Sequence, residues 1–170
     1  LARAHFDRYS SDAAALAAGA FGRALAQSGF DPLRVARLFD VPLAMVLRRW
    51  AALAGPQGGP RPGLVRADGS GTLIFRQPTQ GFALPRFGAV CTLWPLFEAL
   101  THPNVPVRRL VELGEGVARP RAGVVYAVGV DHGGQSLGDR TAQGHGGVVH
   151  LVCGNLFLRG TGQLLARGGD

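Results

Sequence analysis

Two hydrophobic periods divide this chain, and the change between them limits what it can fold into. Leu43, Val46, Leu47, Trp50 and Leu53 recur at i, i+3, i+4, i+7 and i+10. That spacing draws one apolar stripe along a helix. From Gly63 onward the stripe gives way to short apolar runs separated by turn residues, the pattern of strands. Between them lies a Gly/Pro-rich stretch, Gly55 to Pro62, which continues neither pattern. The sequence therefore predicts an α+β protein. A helical subdomain over 1–54 and a linker over 55–62 precede a small, mainly antiparallel sheet domain with one or two short helices over 63–170.

Local signals refine each half. Ser10, Ser11 and Asp12 read as caps for an Ala-rich helix running to Gln27 and closed by Gly29. Asp31-Pro32 is a cap followed by proline at the first helical position, opening a helix to Phe39. Val41-Pro42 opens the striped helix, with Arg48 and Arg49 off the stripe and expected to face outward. Leu64–Arg66 and Thr72–Arg76 flank Asp68-Gly69-Ser70-Gly71, a hairpin turn. Thr92 caps a short helix to Leu100 that tolerates Pro95 in its first turn. Val107–Leu113, Val124–Val130 and Val148–Val152 read as strands, and Gly133–Gly147 as a mobile loop.

Composition sets the outer bounds. Of 170 residues, 46% are hydrophobic and 17% charged, enough apolar material for a core. The 26 Gly and 11 Pro exceed the average combined share of about 12% and imply many turns. No run of about 18 apolar residues exists to span a membrane as a helix. The first residues lack a signal peptide's pattern and an initiator Met, as expected of a fragment. Net charge is +7, and every cation is Arg. GC-rich codon usage is the simpler account of that bias; an anionic partner, nucleic acid or a phosphorylated ligand, is the functional one. Cys91 and Cys153 make no disulfide framework, consistent with a reducing, cytoplasmic setting.

Chemical motifs are few. FDPLRVARLF followed by VPLAMVLRRWAAL has the outline of a helix-turn-helix. Its second helix lacks Asn, Gln, Ser or Thr to read base edges, so two packed helices is the simpler reading. His5, His102, His132, His145 and His150 fall at no zinc-helix spacing. No base is placed beside Cys91 for nucleophilic catalysis.

Residues 86–100, RFGAVCTLWPLFEAL, resemble the signature of the bacterial short-chain fatty-acyl-CoA regulators. Phe87-Gly88, Cys91, Leu93, Trp94 and Glu98-Ala99 match; Ala89, Thr92 and Leu100 depart from it. Residues 12–53 look like the end of that family's metallopeptidase-like segment. VHLVCGNLFLRG resembles a family segment ending in Gly-Cys-Asp. The resemblance implies a non-enzymatic, homo-oligomeric transcriptional regulator that senses CoA or a short-chain acyl-CoA and meets DNA through a domain outside this chain. A DNA-binding module using 31–53 is the alternative. Some relatives ligate an iron–sulfur cluster at the position matched by Cys153. With no further cysteines in a C-terminal tail, this chain is expected to be cluster-free. CoA carries a phosphomonoester and a pyrophosphate, which call for arginines. Arg76 and Arg86 flank the signature, and Arg108 and Arg109 follow; Phe87, Trp94 and Phe97 are candidates to line an apolar slot. On this reading Arg86→Ala weakens CoA binding by roughly 10- to 150-fold, measured by calorimetry. Arg23→Ala, a remote cation on the first helical run, leaves it unchanged.

Overall fold

The computed structural model describes residues 2–53, 62–68, 71–78, 95–102, 104–113, 121–130 and 148–155. Four helices come first: α1 (Ala2–Ala15), α2 (Ala18–Gln27), α3 (Pro32–Phe39) and α4 (Leu43–Ala52). They are followed by β1 (Gly63–Ala67), β2 (Leu73–Gln77), α5 (Pro95–Thr101), β3 (Val107–Leu113), β4 (Arg121–Val130) and β5 (Val148–Asn155). The five strands form one antiparallel sheet in the order β2-β1-β5-β4-β3. The expected α+β arrangement, helices before strands, is the one observed.

The helix boundaries follow local chemistry with one exception. Asp31 caps α3, its carboxylate accepting the Leu33 amide at 2.9 Å. Pro32 occupies the first helical position, where its missing N–H costs nothing. Asp40 ends α3 in the left-handed region at φ 51°, and α4 begins one residue after Pro42. Gly29, at φ 68°, closes the turn after α2. The exception is the first helical run. Ser10, Ser11 and Asp12 lie inside α1 and do not cap a later helix. The break falls at Ala17, which is extended at φ −55° and ψ 132°. It separates Leu16 from Phe21, and both are fully buried in the same core cluster.

The sheet has two covered faces because strand side chains alternate. Leu64, Val124, Tyr126 and Val128 join one core cluster with Leu16, Phe21, Leu25, Val35 and the α4 stripe. Val65, Ala67, Val107, Val125 and Ala127 pack on the other face with Leu96 and Ala99 of α5. Leu43, Val46, Leu47 and Trp50 are buried as the stripe required. Their cover is the sheet together with the other helices, and not the first helix alone. Trp50 also stacks on Phe30, ring centroids 6.4 Å apart. Gln77 joins β2 to α4, its Nε2 donating to the Ala51 carbonyl at 2.8 Å.

The expected hairpin joins β1 to β2, with Leu64 opposite Gln77 and Arg66 opposite Phe75. The Asp68 amide donates to the Thr72 carbonyl and the Gly71 amide to the Asp68 carbonyl, both at 3.0 Å. Gly71 has φ 82°, and a Cβ there would sit 2.8 Å from Cε1 of Phe97. The predicted helix over 92–100 is observed as α5 over the described residues Pro95–Thr101; Thr92 lies outside them. So do most of the 55–62 linker and the 133–147 loop. Gly71→Ala is therefore expected to destabilise the protein more than Gly29→Ala, where a Cβ meets nothing within 4 Å. The left-handed conformation alone costs about 1–2 kcal/mol for a residue with a Cβ, and Gly71 adds the clash with Phe97. Urea denaturation of the two variants measures the difference.

Candidate functional site

Strand alternation puts Arg66 on the same face of β1 as Leu64, under the helices. It is 7% exposed, and its Nε has no hydrogen-bond partner among the described residues. Burial, with the charges of Arg8 and Arg48 added, pushes its pKa below the ordinary arginine value. Arg66 lines a cavity of about 600 Å3 between α1, α4, β1 and β2. Arg8 and Arg48 line it too, with Asp12, Tyr9, Phe75 and Gln77.

Each of these side chains reaches the cavity for a local reason. Arg8 and Asp12 are i and i+4 on α1, hence on one face. Asp12 is 3% exposed, and its two oxygens accept from Nε and Nη2 of Arg48, each at 2.7 Å. This fork-on-fork contact fixes the plane of the Arg48 guanidinium. Arg49, next along α4, is also buried, at 8% exposure. Its Nε donates to the Leu16 carbonyl at 2.9 Å. The expectation that Arg48 and Arg49 face outward is thus corrected. The α4 stripe lies on the sheet while α1 crosses the helix on the side that carries its arginines. A second cavity of about 600 Å3 shares Arg8 and Arg48 and adds Arg37 and Asn104, with apolar walls from Leu43, Met45, Pro106 and Val128.

The residues expected from the sequence lie elsewhere, as far as they are described. Arg86, Phe87 and Trp94 fall outside the described residues. Arg76 is exposed on β2, opposite Val65. Phe97 is half-buried and packs against the α5-side core. Arg108 sits over the Tyr126 ring, 5.9 Å from its centroid. Burial first, then Asp31, raises the Tyr126 pKa, and Arg108 opposes the shift. Arg109 grips both oxygens of Glu98 on α5 at 2.5 and 2.7 Å. Adjacent on one strand, Arg108 and Arg109 serve opposite faces of the sheet and do not converge. Cys153 lies in β5 with Val125 and Gly63 as its register partners.

Sequence reasoning missed Arg8 and Arg66. The signal was present for Arg66: a cation two residues from Leu64 on a strand covered by an amphipathic helix. Arg8 carried no such mark, because α1 has no apolar stripe to orient it.

Residues 58–146, just over half of the chain, match the family described as "Short-chain fatty acyl coenzyme A regulator, C-terminal". The chain is 31% identical over 118 residues to the propionyl-CoA carboxylase regulator of Cereibacter sphaeroides, a match covering 69% of this chain and 26% of that protein. It is 30% identical over 117 residues to the HTH-type transcriptional regulator PrpR of Mycobacterium tuberculosis, covering 68% and 24%. The matches thus span about a quarter of the length of these curated relatives. A solved structure, a Mycobacterium tuberculosis transcriptional regulator, superposes with a TM-score of 0.63 at 24% identity, covering 86% of this chain and 43% of that one. That likeness shows a shared fold.

The geometry ranks two ion pairs. Arg48→Ala would strand the buried Asp12 carboxylate, and breaking such a pair costs about 3–5 kcal/mol. Arg34→Ala would remove a 3.7 Å contact to Asp31 from a side chain that is 74% exposed, which is worth about 0–1 kcal/mol. Equilibrium unfolding in urea is expected to show that order.

Proposed function

Because the chain belongs to the short-chain fatty acyl coenzyme A regulator family, we propose that it is the effector-binding region of a transcriptional regulator and that its effector is CoA or a short-chain acyl-CoA. One observation carries the reading. Arg8, Arg48 and Arg66 line one cavity, and Arg8, Arg37 and Arg48 line a second that borders it, each with apolar side chains making up most of the remaining wall. CoA needs both kinds of lining. Its phosphates want bidentate guanidinium donors, and its acyl and adenine ends want apolar cover.

The role is non-catalytic on this reading: ligand charge is recognised and nothing is transferred. DNA contact belongs to a part of the regulator outside these residues. The α3–α4 pair could be a helix-turn-helix only if α4 presented a free face to the major groove. Here its stripe lies in the core and its two arginines bind Asp12 and the Leu16 carbonyl. Two cysteines do not supply the four thiolates of an iron–sulfur cubane, so this chain's own residues do not fit that group.

Titration calorimetry of the chain with CoA, acetyl-CoA and propionyl-CoA tests the proposal, with duplex DNA as the rival ligand. Saturable binding of at least one thioester or CoA is expected, weakening with salt, and no site for DNA. Salt-steep DNA binding by the folded chain, with no heat from CoA, would overturn it in favour of the helix-pair module.

A further inference from the structure

We infer that the cavity lined by Arg8, Arg48 and Arg66 is a binding site for a phosphoryl group carrying two negative charges, with Asp12 holding Arg48 in position for it. The inference rests on the CoA reading only for the identity of the molecule that carries the group. Arg49 supplies the internal comparison. It is buried to almost the same degree as Arg66, and its Nε meets a carbonyl at 2.9 Å, as a structural arginine should. The Nε of Arg66 meets nothing among the described residues. The charges that act on Arg66 most, Arg8 and Arg48, are of its own sign.

Asp12 does not relieve this. Both of its oxygens are committed to Arg48 at 2.7 Å. That contact uses the Nε–Nη2 edge of Arg48 and leaves Nη1 outside the pair. Among the described lining, three guanidinium groups against one carboxylate leave two positive charges uncompensated. A buried guanidinium with an unsatisfied Nε is costly, and an anion that accepts from it removes that cost. A phosphoryl group offers several oxygens to planar guanidinium forks. In CoA both the phosphomonoester and the pyrophosphate carry about two charges, so either fits the same arginines.

The test uses the whole chain, wild type and three variants: Arg66→Met, Arg8→Ala and the remote control Arg23→Ala. Thermal melts compare pyrophosphate with chloride at matched ionic strength, and calorimetry measures CoA and dephospho-CoA. Pyrophosphate is expected to raise the Tm of wild type and Arg23→Ala but not of Arg66→Met. Without ligand, Arg66→Met is expected to melt no lower than wild type, because a buried charge with an unsatisfied Nε has been removed. CoA affinity is expected to fall roughly 10- to 150-fold in Arg66→Met and about tenfold in Arg8→Ala. Dephospho-CoA binding as tightly as CoA would seat the pyrophosphate in the cavity; a loss matching that of Arg66→Met would seat the phosphomonoester.

Equal small losses in Arg8→Ala and Arg23→Ala would mean diffuse electrostatics and overturn the site. So would an Arg66→Met protein that melts lower yet keeps its pyrophosphate response. If Arg66→Met does not fold, the comparison of Arg8→Ala, at an exposed helix position, with Arg23→Ala decides. CoA bound equally by wild type and Arg66→Met would sink the site and leave the sensing role standing. Pyrophosphate stabilisation through Arg66 without any CoA binding would do the reverse.

Discussion

The placement of α4 is the constraint on which the rest depends. One side of this ten-residue helix buries Leu43, Val46, Leu47 and Trp50 in the core it shares with the sheet. Its arginines, Arg48 and Arg49, reach Asp12 of α1 and the Leu16 carbonyl that follows it. The helix therefore joins two layers by different forces. Apolar burial is non-directional and holds it to the sheet. The fork contact to a buried carboxylate is directional and fixes where α1 crosses. Among the described side chains of α1 only Asp12 is buried, while Phe6 and Tyr9 are exposed. The arginine-lined cavity exists because α1 crosses there.

The cavity's chemistry conflicts locally with stability. A strand position facing a helix layer ordinarily takes an apolar residue, as Leu64 does two positions earlier. Arg66 breaks that pattern within the same strand, and among the described residues its Nε has no partner where that of Arg49 does. Sites that break a local rule without internal compensation are where a fold gives up stability for function. The cost of the unsatisfied Nε falls on the unliganded protein, so an anion bound there would raise folded-state stability by an amount set by its concentration relative to its Kd.

Much of the architecture was legible in the sequence because its signals are local. Asp31-Pro32, Gly29 and the i, i+3, i+4 stripe each state a cap, a stop or a face within a few residues, and the structure follows them. The break at Ala17 was not legible. The run from Asp12 to Gln27 contains no proline, and the turn between α1 and α2 is dictated by burying Leu16 and Phe21 together, a tertiary demand. The pairing of Asp12 with Arg48, 36 residues apart, is also invisible to local patterns, which is why Asp12 was read as a cap and Arg48 as a solvated cation. Arg66 was half legible: strand alternation gives its face, but only the helix layer above gives its burial. The signature over 86–100 told the family from residue identities alone, and family membership does not say which arginines converge.

A structure of this chain bound to CoA tests the central claim most directly. The account predicts a phosphoryl oxygen within about 3 Å of Nε of Arg66, with Arg48 still gripped by Asp12 and a second oxygen on the free edge of its guanidinium. A CoA seated elsewhere, for example beside Arg108 at Tyr126, with the Arg66 Nε still unpaired, would contradict it.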